Sequence, residues 1–206
     1  MQSFQIAFIP LLIMVFSYIL SSCTSTHGNY ADPNQTEIVG DRWNETDLRL
    51  TAQKMVRDML SSHWISDWQD EQKKKSAKPF LLVDDMENRS SEQIDTSSIF
   101  EIVRSDLINS GKIRFLDGGM RDRLLKEYKY QGSGTVRKSQ VKGPGKQFGA
   151  DFFLTGAISD IVGKSDGYKT VTYQIEMRLT NISTSEIVWS GIEKIKKQFK
   201  RSRFGF

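Results

Sequence analysis

The stretch YKTVTYQIEMRLTN (Tyr168–Asn181) decides the fold class, because apolar and polar side chains alternate along most of its length. Successive side chains of a β-strand point to opposite faces of the sheet. The alternation therefore predicts a strand with one buried face. The residues predicted for that face are Val171, Tyr173, Ile175, Met177 and Leu179.

Two further strands flank this stretch. Residues 151–162 (DFFLTGAISDIV) precede it across a turn at residues 163–167, and residues 186–199 follow it after a turn at residues 183–185. Three consecutive strands joined by tight turns predict an antiparallel meander. We expect Trp189, in the last of these strands, to lie on the packed side of the domain.

The segment before the meander mixes strand and helix patterns. Residues 80–83 (FLLV) predict a short buried strand, and residues 84–91 predict a loop. A helix follows, capped by Asp95 or Thr96 and ended by Gly111. Its predicted apolar face consists of Ile99, Val103 and Leu107.

Two weaker elements complete this part of the chain. Residues 112–117 (KIRFLD) predict a second strand, and residues 120–130 predict a third helix. Residues 131–145, rich in Gly, Ser and Lys, predict a mobile loop, with a short helical piece before Phe148. The order of elements predicts an α+β domain over residues 79–199: a mixed β-sheet with a C-terminal antiparallel three-strand meander and helices packed on it.

Residues 44–78 predict a helix followed by a charged connection. Asn44 or Thr46 can cap this helix, whose apolar residues recur at helical spacing. Trp64 and Trp68 follow four residues apart. They either pack the helix onto the domain or form an exposed stripe that binds a partner, and the sequence leaves both possibilities open.

The N-terminus has the features of an export signal. Residues 1–22 contain no charged side chain, and residues 4–20 are almost continuously apolar. Leu20-Ser21-Ser22-Cys23 resembles the bacterial lipobox, and Cys23 is the sole cysteine of the chain. We therefore predict a signal peptide over residues 1–22 and lipidation of Cys23, with an uncleaved anchor as the alternative.

The residues after Cys23 predict how the protein is attached. Residues 23–43 are polar and without apolar periodicity, which predicts a flexible tether. Thr24 follows the cysteine, and by resemblance to lipoproteins of double-membrane bacteria the lack of Asp there favours the outer membrane. The expected location is the periplasmic face of the outer membrane, held by the N-terminal lipid.

The chemistry of the chain argues against an enzyme. One cysteine and two histidines among 206 residues leave little for a metal site. Gly143-Pro144-Gly145-Lys146 lacks the remaining residues of a phosphate loop. Asp84 and Asp85 are neighbours on a strand, so they should point apart rather than converge. We expect no catalytic residues, no metal and no cofactor.

The C-terminus is basic, although the formal net charge of the whole chain is only +4. Six cations lie within ten residues: Lys194, Lys196, Lys197, Lys200, Arg201 and Arg203. They form either a solvated strand edge with a basic tail over residues 200–206, or a docking surface for an anionic partner. Lys196, Lys197 and Lys200 are the candidate partner contacts, and a nucleic acid as partner conflicts with export.

Several short blocks occur together in a familiar order. They are Phe80-Leu81-Leu82-Val83, Asn88-Arg89-Ser90, Asn109-Ser110-Gly111-Lys112 with Phe115 and Leu116, Gly149-Ala150-Asp151-Phe152-Phe153-Leu154-Thr155-Gly156, and Ile187-Val188-Trp189-Ser190-Gly191. This combination resembles the LpoB family of outer-membrane lipoproteins, the penicillin-binding protein activators.

The resemblance implies a domain like the N-terminal domain of TolB and a role without catalysis. It implies that an anchored, monomeric domain binds a class A penicillin-binding protein and activates it, and so regulates peptidoglycan synthesis. The same fold occurs in lipoproteins of the curli secretion channel type. A structural or assembly subunit of an outer-membrane complex is therefore the alternative function.

Overall fold

The computed structural model describes residues 28–38, 40–165 and 167–200. The predicted signal peptide, Cys23 and residues 201–206 of the predicted basic tail lie outside these residues. The chain divides into an N-terminal unit that ends at Gln35 and a larger unit that begins at Thr36. The larger unit holds all the elements that follow, and no helix in the described residues is long and apolar enough to cross a membrane.

A five-stranded mixed sheet forms the centre of the larger unit. Its strands are β1 (Phe80–Asn88), β2 (Arg114–Phe115), β3 (Phe152–Ser165), β4 (Tyr168–Asn181) and β5 (Ile187–Lys200), in the order β2-β1-β3-β4-β5. β1 runs parallel to β2 and β3, whereas β3, β4 and β5 form the antiparallel meander. The predicted α+β class, mixed sheet and C-terminal meander are confirmed.

Among the described residues, four α-helices accompany the sheet: α1 (Glu45–Ser61), α2 (Trp64–Glu71), α3 (Thr96–Asn109) and α4 (Arg121–Tyr130). α1 contacts α3 and β5, and α3 contacts β1. Their apolar faces join the inward face of β4 in one core. All five residues predicted for that face of β4, from Val171 to Leu179, are buried.

The helix caps explain where α1 and α3 begin. The Asn44 side chain accepts a hydrogen bond from the Asp47 backbone N–H, and the Asp47 carboxylate accepts one from the Asn44 N–H. This reciprocal pair satisfies two backbone donors that the helix itself leaves free. Asp95 caps α3, as predicted, because its side chain accepts a hydrogen bond from the backbone N–H of Ser97.

Trp64 and Trp68 pack the N-terminal helices onto the sheet. Trp64 is buried, its indole meets the Phe152 ring edge-on at 5.2 Å, and its N–H donates to the Met59 carbonyl oxygen. Trp68 is half-buried beside the same Phe152 ring. The packing interpretation is confirmed, and the two residues lie in a second short helix, α2, which the sequence pattern did not predict.

Other elements differ from the predictions in their lengths. β1 continues to Asn88 through the predicted loop, because a bulge between Val83 and Met86 lets it stay paired with β3. β2 is only two residues long. Residues 131–145 contain two short helical turns, Gln131–Thr135 and Lys138–Gln140, and the predicted helical piece directly before Phe148 is not observed.

Residues 40–43 fall in the segment predicted as tether. They are nevertheless held by side chains near the start of β4 and near the end of β5. Lys169 pairs with the Asp41 carboxylate, and the hydrogen bond lowers the pKa of Asp41. The ring of Trp43 meets that of Tyr173 edge-on at 5.3 Å. The Tyr173 hydroxyl lies 2.7 Å from Glu92 Oε1, and Glu92 Oε2 accepts from the Trp43 N–H. The folded unit therefore includes these residues as well as 44–78.

The same contacts predict an alkaline pH dependence of stability. Burial, followed by the hydrogen bond and charge of Glu92, raises the pKa of Tyr173 well above its usual value. Above pH about 10 an unfolded chain releases this proton while the folded one keeps it. The folded state then binds more protons, so this contribution is complete below pH about 10 and is lost as the pH rises further.

We expect the unfolding free energy to fall more steeply above pH about 10 in the wild-type protein than in Tyr173→Phe. Urea titrations at a series of pH values measure this difference. Tyr168→Phe is the matched control, since Tyr168 lies at the exposed start of the same strand. Parallel curves for wild type and Tyr173→Phe would contradict the prediction.

Candidate functional site

The described residues, 28–38, 40–165 and 167–200, carry the candidate binding surfaces of this domain. Within them, no three His, Cys, Asp or Glu side chains lie close enough together to hold a metal ion. Three exposed faces and grooves of the domain are built by identifiable elements.

The sheet presents one face that the core helices do not cover. From Trp189 onward the residues of β5 alternate, so that Trp189 and Gly191 point inward while Ser190 and Ile192 point outward. The outward residues of β4 and β5 define what we call the open face: Thr172, Gln174, Glu176, Arg178, Ser190, Ile192, Lys194 and Lys196. Ile192 is 61% exposed.

The lysines of β5 divide between the two faces. Lys194 and Lys196 are exposed on the open face, opposite Gln174 and Thr172 of β4. Lys200 is exposed at the end of the strand, opposite Tyr168. Two of the three predicted partner contacts, Lys196 and Lys200, are therefore accessible, and Lys194 joins them on the same side of the strand.

Lys197 is not accessible, which corrects its prediction as a partner contact. It shares the inward face with Trp189, and its side chain is only 4% exposed. Its ammonium group pairs with the buried carboxylate of Asp47 and donates to the carbonyl oxygens of Arg42, at 2.6 Å, and Gly40. Lys197 therefore ties the start of α1 and the preceding segment to β5.

A charged cavity of about 220 Å³ adjoins the open face at the bulge of β1. Arg89 pairs with Glu87 and, at 3.0 Å, with Glu176, which Arg178 also approaches. The Arg89 guanidinium lowers the pKa of Glu87, and Glu87 in turn raises that of Arg89. These pairs fix the cavity wall but neutralise only part of its charge, because the lining holds four carboxylates and two guanidinium groups.

Asp84 and Asp85 line this cavity together, although the sequence predicted that they point apart. The prediction assumed regular alternation, and the bulge between Val83 and Met86 interrupts it. Both side chains are exposed, and the Asp84 carboxylate accepts a hydrogen bond from the Asp85 N–H. The pair remains a solvated feature of the strand.

Two glycines of the quoted blocks have structural roles that sequence reasoning missed. A Cβ at Gly156 would lie 2.9 Å from Met86 Cε and 3.0 Å from the Glu176 carbonyl oxygen, so only glycine lets β1 and β4 pack against β3 at this point. A Cβ at Gly191 would lie 2.6 Å from the Trp189 ring. The sequence signal for the role of Gly191 was its spacing from Trp189. Residues two apart on a strand share a face, so the Trp189 indole can lie over Gly191.

Comparison with known proteins assigns a family to this fold. The family model described as "Peptidoglycan-synthase activator LpoB" matches residues 47–195, from the first turn of α1 into β5. The penicillin-binding protein activator LpoB of Enterobacter sp. (strain 638) is 24% identical over 172 residues. The match covers 83% of this chain and 71% of that relative.

Solved structures of similar proteins include two LpoB C-terminal domains. The domain from Escherichia coli is 23% identical with a TM-score of 0.45, and that from Salmonella enterica is 22% identical with the same TM-score. Each comparison covers 72% of this chain and 98% of the other.

Proposed function

The chain belongs to the LpoB family of peptidoglycan-synthase activators, and from this premise we propose that it binds a class A penicillin-binding protein and accelerates its glycan polymerisation. The observation that carries the proposal is the extent of the family match. Residues 47–195 include α1 to α4, β1 to β4 and most of β5, so the match covers almost the whole folded unit.

The proposed activation needs no catalytic group on this chain. An activator only has to bind the active conformation of the synthase more tightly than the resting one. A tenfold preference corresponds to about 1.4 kcal/mol, which a few polar contacts can provide. The role proposed for the domain is therefore a non-catalytic one, and we expect the monomer to be the active species.

The open face is the surface proposed for the synthase. Its opposite side is filled by α1 and α3, whereas Lys194, Lys196 and Ile192 are exposed on rigid strands. Exposed lysines around an apolar side chain suit an acidic protein surface, which they attract over a distance before contact forms. Lys200 extends the same charge along the strand.

We expect Lys194→Glu/Lys196→Glu to weaken binding to the synthase by slowing association about tenfold at low salt. Surface plasmon resonance at several salt concentrations separates the association rate from the dissociation rate. Lys126→Glu/Lys129→Glu makes the same change of charge on exposed residues of α4 and is the matched control. Equal association rates for both double variants would reject the open face as the docking surface.

Anchoring is the second part of the proposal. A lipid on Cys23 would hold the chain at the periplasmic face of the outer membrane, and the following residues would let the domain reach the synthase. Attachment raises the effective concentration of the domain near its partner without adding a contact. This proposal is supported by the apolar leader, the lipobox-like tetrapeptide and the single cysteine.

Cys23→Ala is expected to abolish acylation, because the chain has no other thiol to receive the lipid. Incorporation of radiolabelled palmitate in growing cells measures this directly. Thr24→Ala keeps the cysteine and serves as the control, which should label like wild type. Labelling of Cys23→Ala at the wild-type level would remove the lipoprotein proposal while leaving the activator proposal in place.

A further inference from the structure

A groove of about 500 Å³ lies where α2, the start of β1, β2 and the segment before β3 meet. Its main lining residues are Trp68, Lys74, Lys78, Phe80, Arg114 and Phe148. The volume falls in the range of small-ligand sites. The groove is separate from the open face, and neither the family match nor the proposed synthase contact gives it a role.

Two stacked phenyl rings form an apolar platform in the groove. Phe80 and Phe148 lie with their centroids 4.5 Å apart and their planes 16° from parallel. Phe148 is nevertheless 61% exposed, so one ring face remains open to solvent. Ring faces carry partial negative charge. They suit the C–H groups on the flat side of a sugar ring, which carry partial positive charge.

Cations surround this platform. The Arg114 guanidinium lies 5.4 Å from the centre of the Phe80 ring, in the geometry of a cation–π contact. Lys74 and Lys78 are exposed residues of the groove wall. The Asp151 carboxylate accepts a hydrogen bond of 2.8 Å from the Phe80 N–H, so it is used in holding β1 to the start of β3. The groove therefore favours a ligand with negative charge.

A second cavity of about 530 Å³ continues beyond the first. The two cavities share Ser76, Ala77 and Lys78, and the second is also lined by Lys112. An extended ligand can thus occupy both cavities by passing over residues 76–78, between α2 and β1. In the second cavity it meets a further cation, Lys112. A chain molecule fits this arrangement better than a single small metabolite.

We propose that the groove binds an acidic glycan: a strand of N-acetylated sugars whose peptide substituents carry carboxylates, as in peptidoglycan. One sugar ring stacks on Phe148, and carboxylates of the substituents pair with Lys74, Lys78 and Arg114. The choice of glycan rests on the proposed function, which places the domain at the cell wall. An acidic peptide would use the cations but has less use for the open face of the Phe148 ring.

Soluble glycan strands provide the test. Fluorescence polarisation with labelled strands, either bearing their peptides or enzymatically stripped of them, measures binding to the full-length protein in detergent without any synthase. We expect Phe148→Ala to weaken both kinds of strand about five- to tenfold. We expect Lys74→Glu/Lys78→Glu to weaken the peptide-bearing strands by at least as much and to leave the stripped strands almost unchanged.

Two variants keep the result specific to the groove. Tyr130→Ala removes another exposed aromatic ring, and Lys126→Glu/Lys129→Glu reverses two lysines on α4; both should bind like wild type. Circular dichroism shows whether each variant is folded. Wild-type affinity in folded Phe148→Ala, or no binding of either strand to wild type, overturns the proposal.

An acidic protein segment in the groove is the competing outcome. It would appear as weaker synthase binding by Phe148→Ala together with unchanged glycan binding, and this also overturns the glycan proposal. Because the glycan measurement contains no synthase, its failure leaves the proposed activation of the synthase standing. If the protein does not bind the synthase, the glycan measurement still tests the glycan proposal, because it does not depend on synthase binding.

Discussion

Replacing Lys197 by methionine should lower the free energy of unfolding by about 3–5 kcal/mol, since it leaves the carboxylate of Asp47 buried without its cation. Both side chains of the pair are at most 6% exposed. The carbonyl oxygens of Gly40 and Arg42 lose their donor at the same time. Urea denaturation, followed by tryptophan fluorescence, measures the change.

The neighbouring lysine gives a matched control. Lys196→Met makes the same substitution one residue away on the exposed face, where we expect a change within about 0.5 kcal/mol. Adding Asp47→Asn to Lys197→Met removes the uncompensated charge and should recover part of the loss. If Lys197→Met and Lys196→Met changed the free energy of unfolding by the same small amount, the buried pair of Lys197 and Asp47 would not be part of the stable fold.

Trp189→Ala should cost about 3–5 kcal/mol of unfolding free energy, because it removes a large ring from a packed site. The indole is 7% exposed, lies over Gly191 on the inward face of β5 and belongs to the same core as Met55 of α1. Its loss opens a cavity between the helix and the sheet. Thermal and urea unfolding of the purified domain give the measurement.

Ile187→Ala is the control for this substitution, as it truncates an apolar side chain that is 53% exposed on the same strand. It should change stability by no more than about 0.5 kcal/mol. A melting temperature for Trp189→Ala within a degree or two of wild type would place the indole outside the core. That result would also make it a candidate for partner contact.

The parts of the fold that the sequence predicts well are those whose cause is local. β4 has the bounds Tyr168–Asn181 that its alternation predicts, because one of its faces is buried along most of its length. α3 begins at its predicted cap, Asp95, and ends before Gly111, whose φ of 69° suits glycine. The alternation of β4, and the cap and the glycine of α3, each lie within or next to the element whose bounds they determine.

The sequence-based predictions fail where residues far apart in the chain determine the local structure. The inward position of Lys197 follows from its spacing of eight residues from Trp189, but a run of lysines suggested a solvated tail, and its partner Asp47 lies 150 residues earlier in the chain. The bulge of β1 depends on pairing with β3, which no pattern around Asp84 reveals. The groove at Phe148 likewise joins four separate segments.

The rate of glycan polymerisation by the class A penicillin-binding proteins of the same bacterium tests the central claim most directly. Each synthase is assayed on its lipid-linked substrate with and without the full-length protein in detergent, and Lys194→Glu/Lys196→Glu is added as a folded variant with a weakened interface. We expect the wild-type protein to raise the rate of at least one synthase and the variant to raise it less at equal concentration. Unchanged rates with every class A synthase would contradict the central claim.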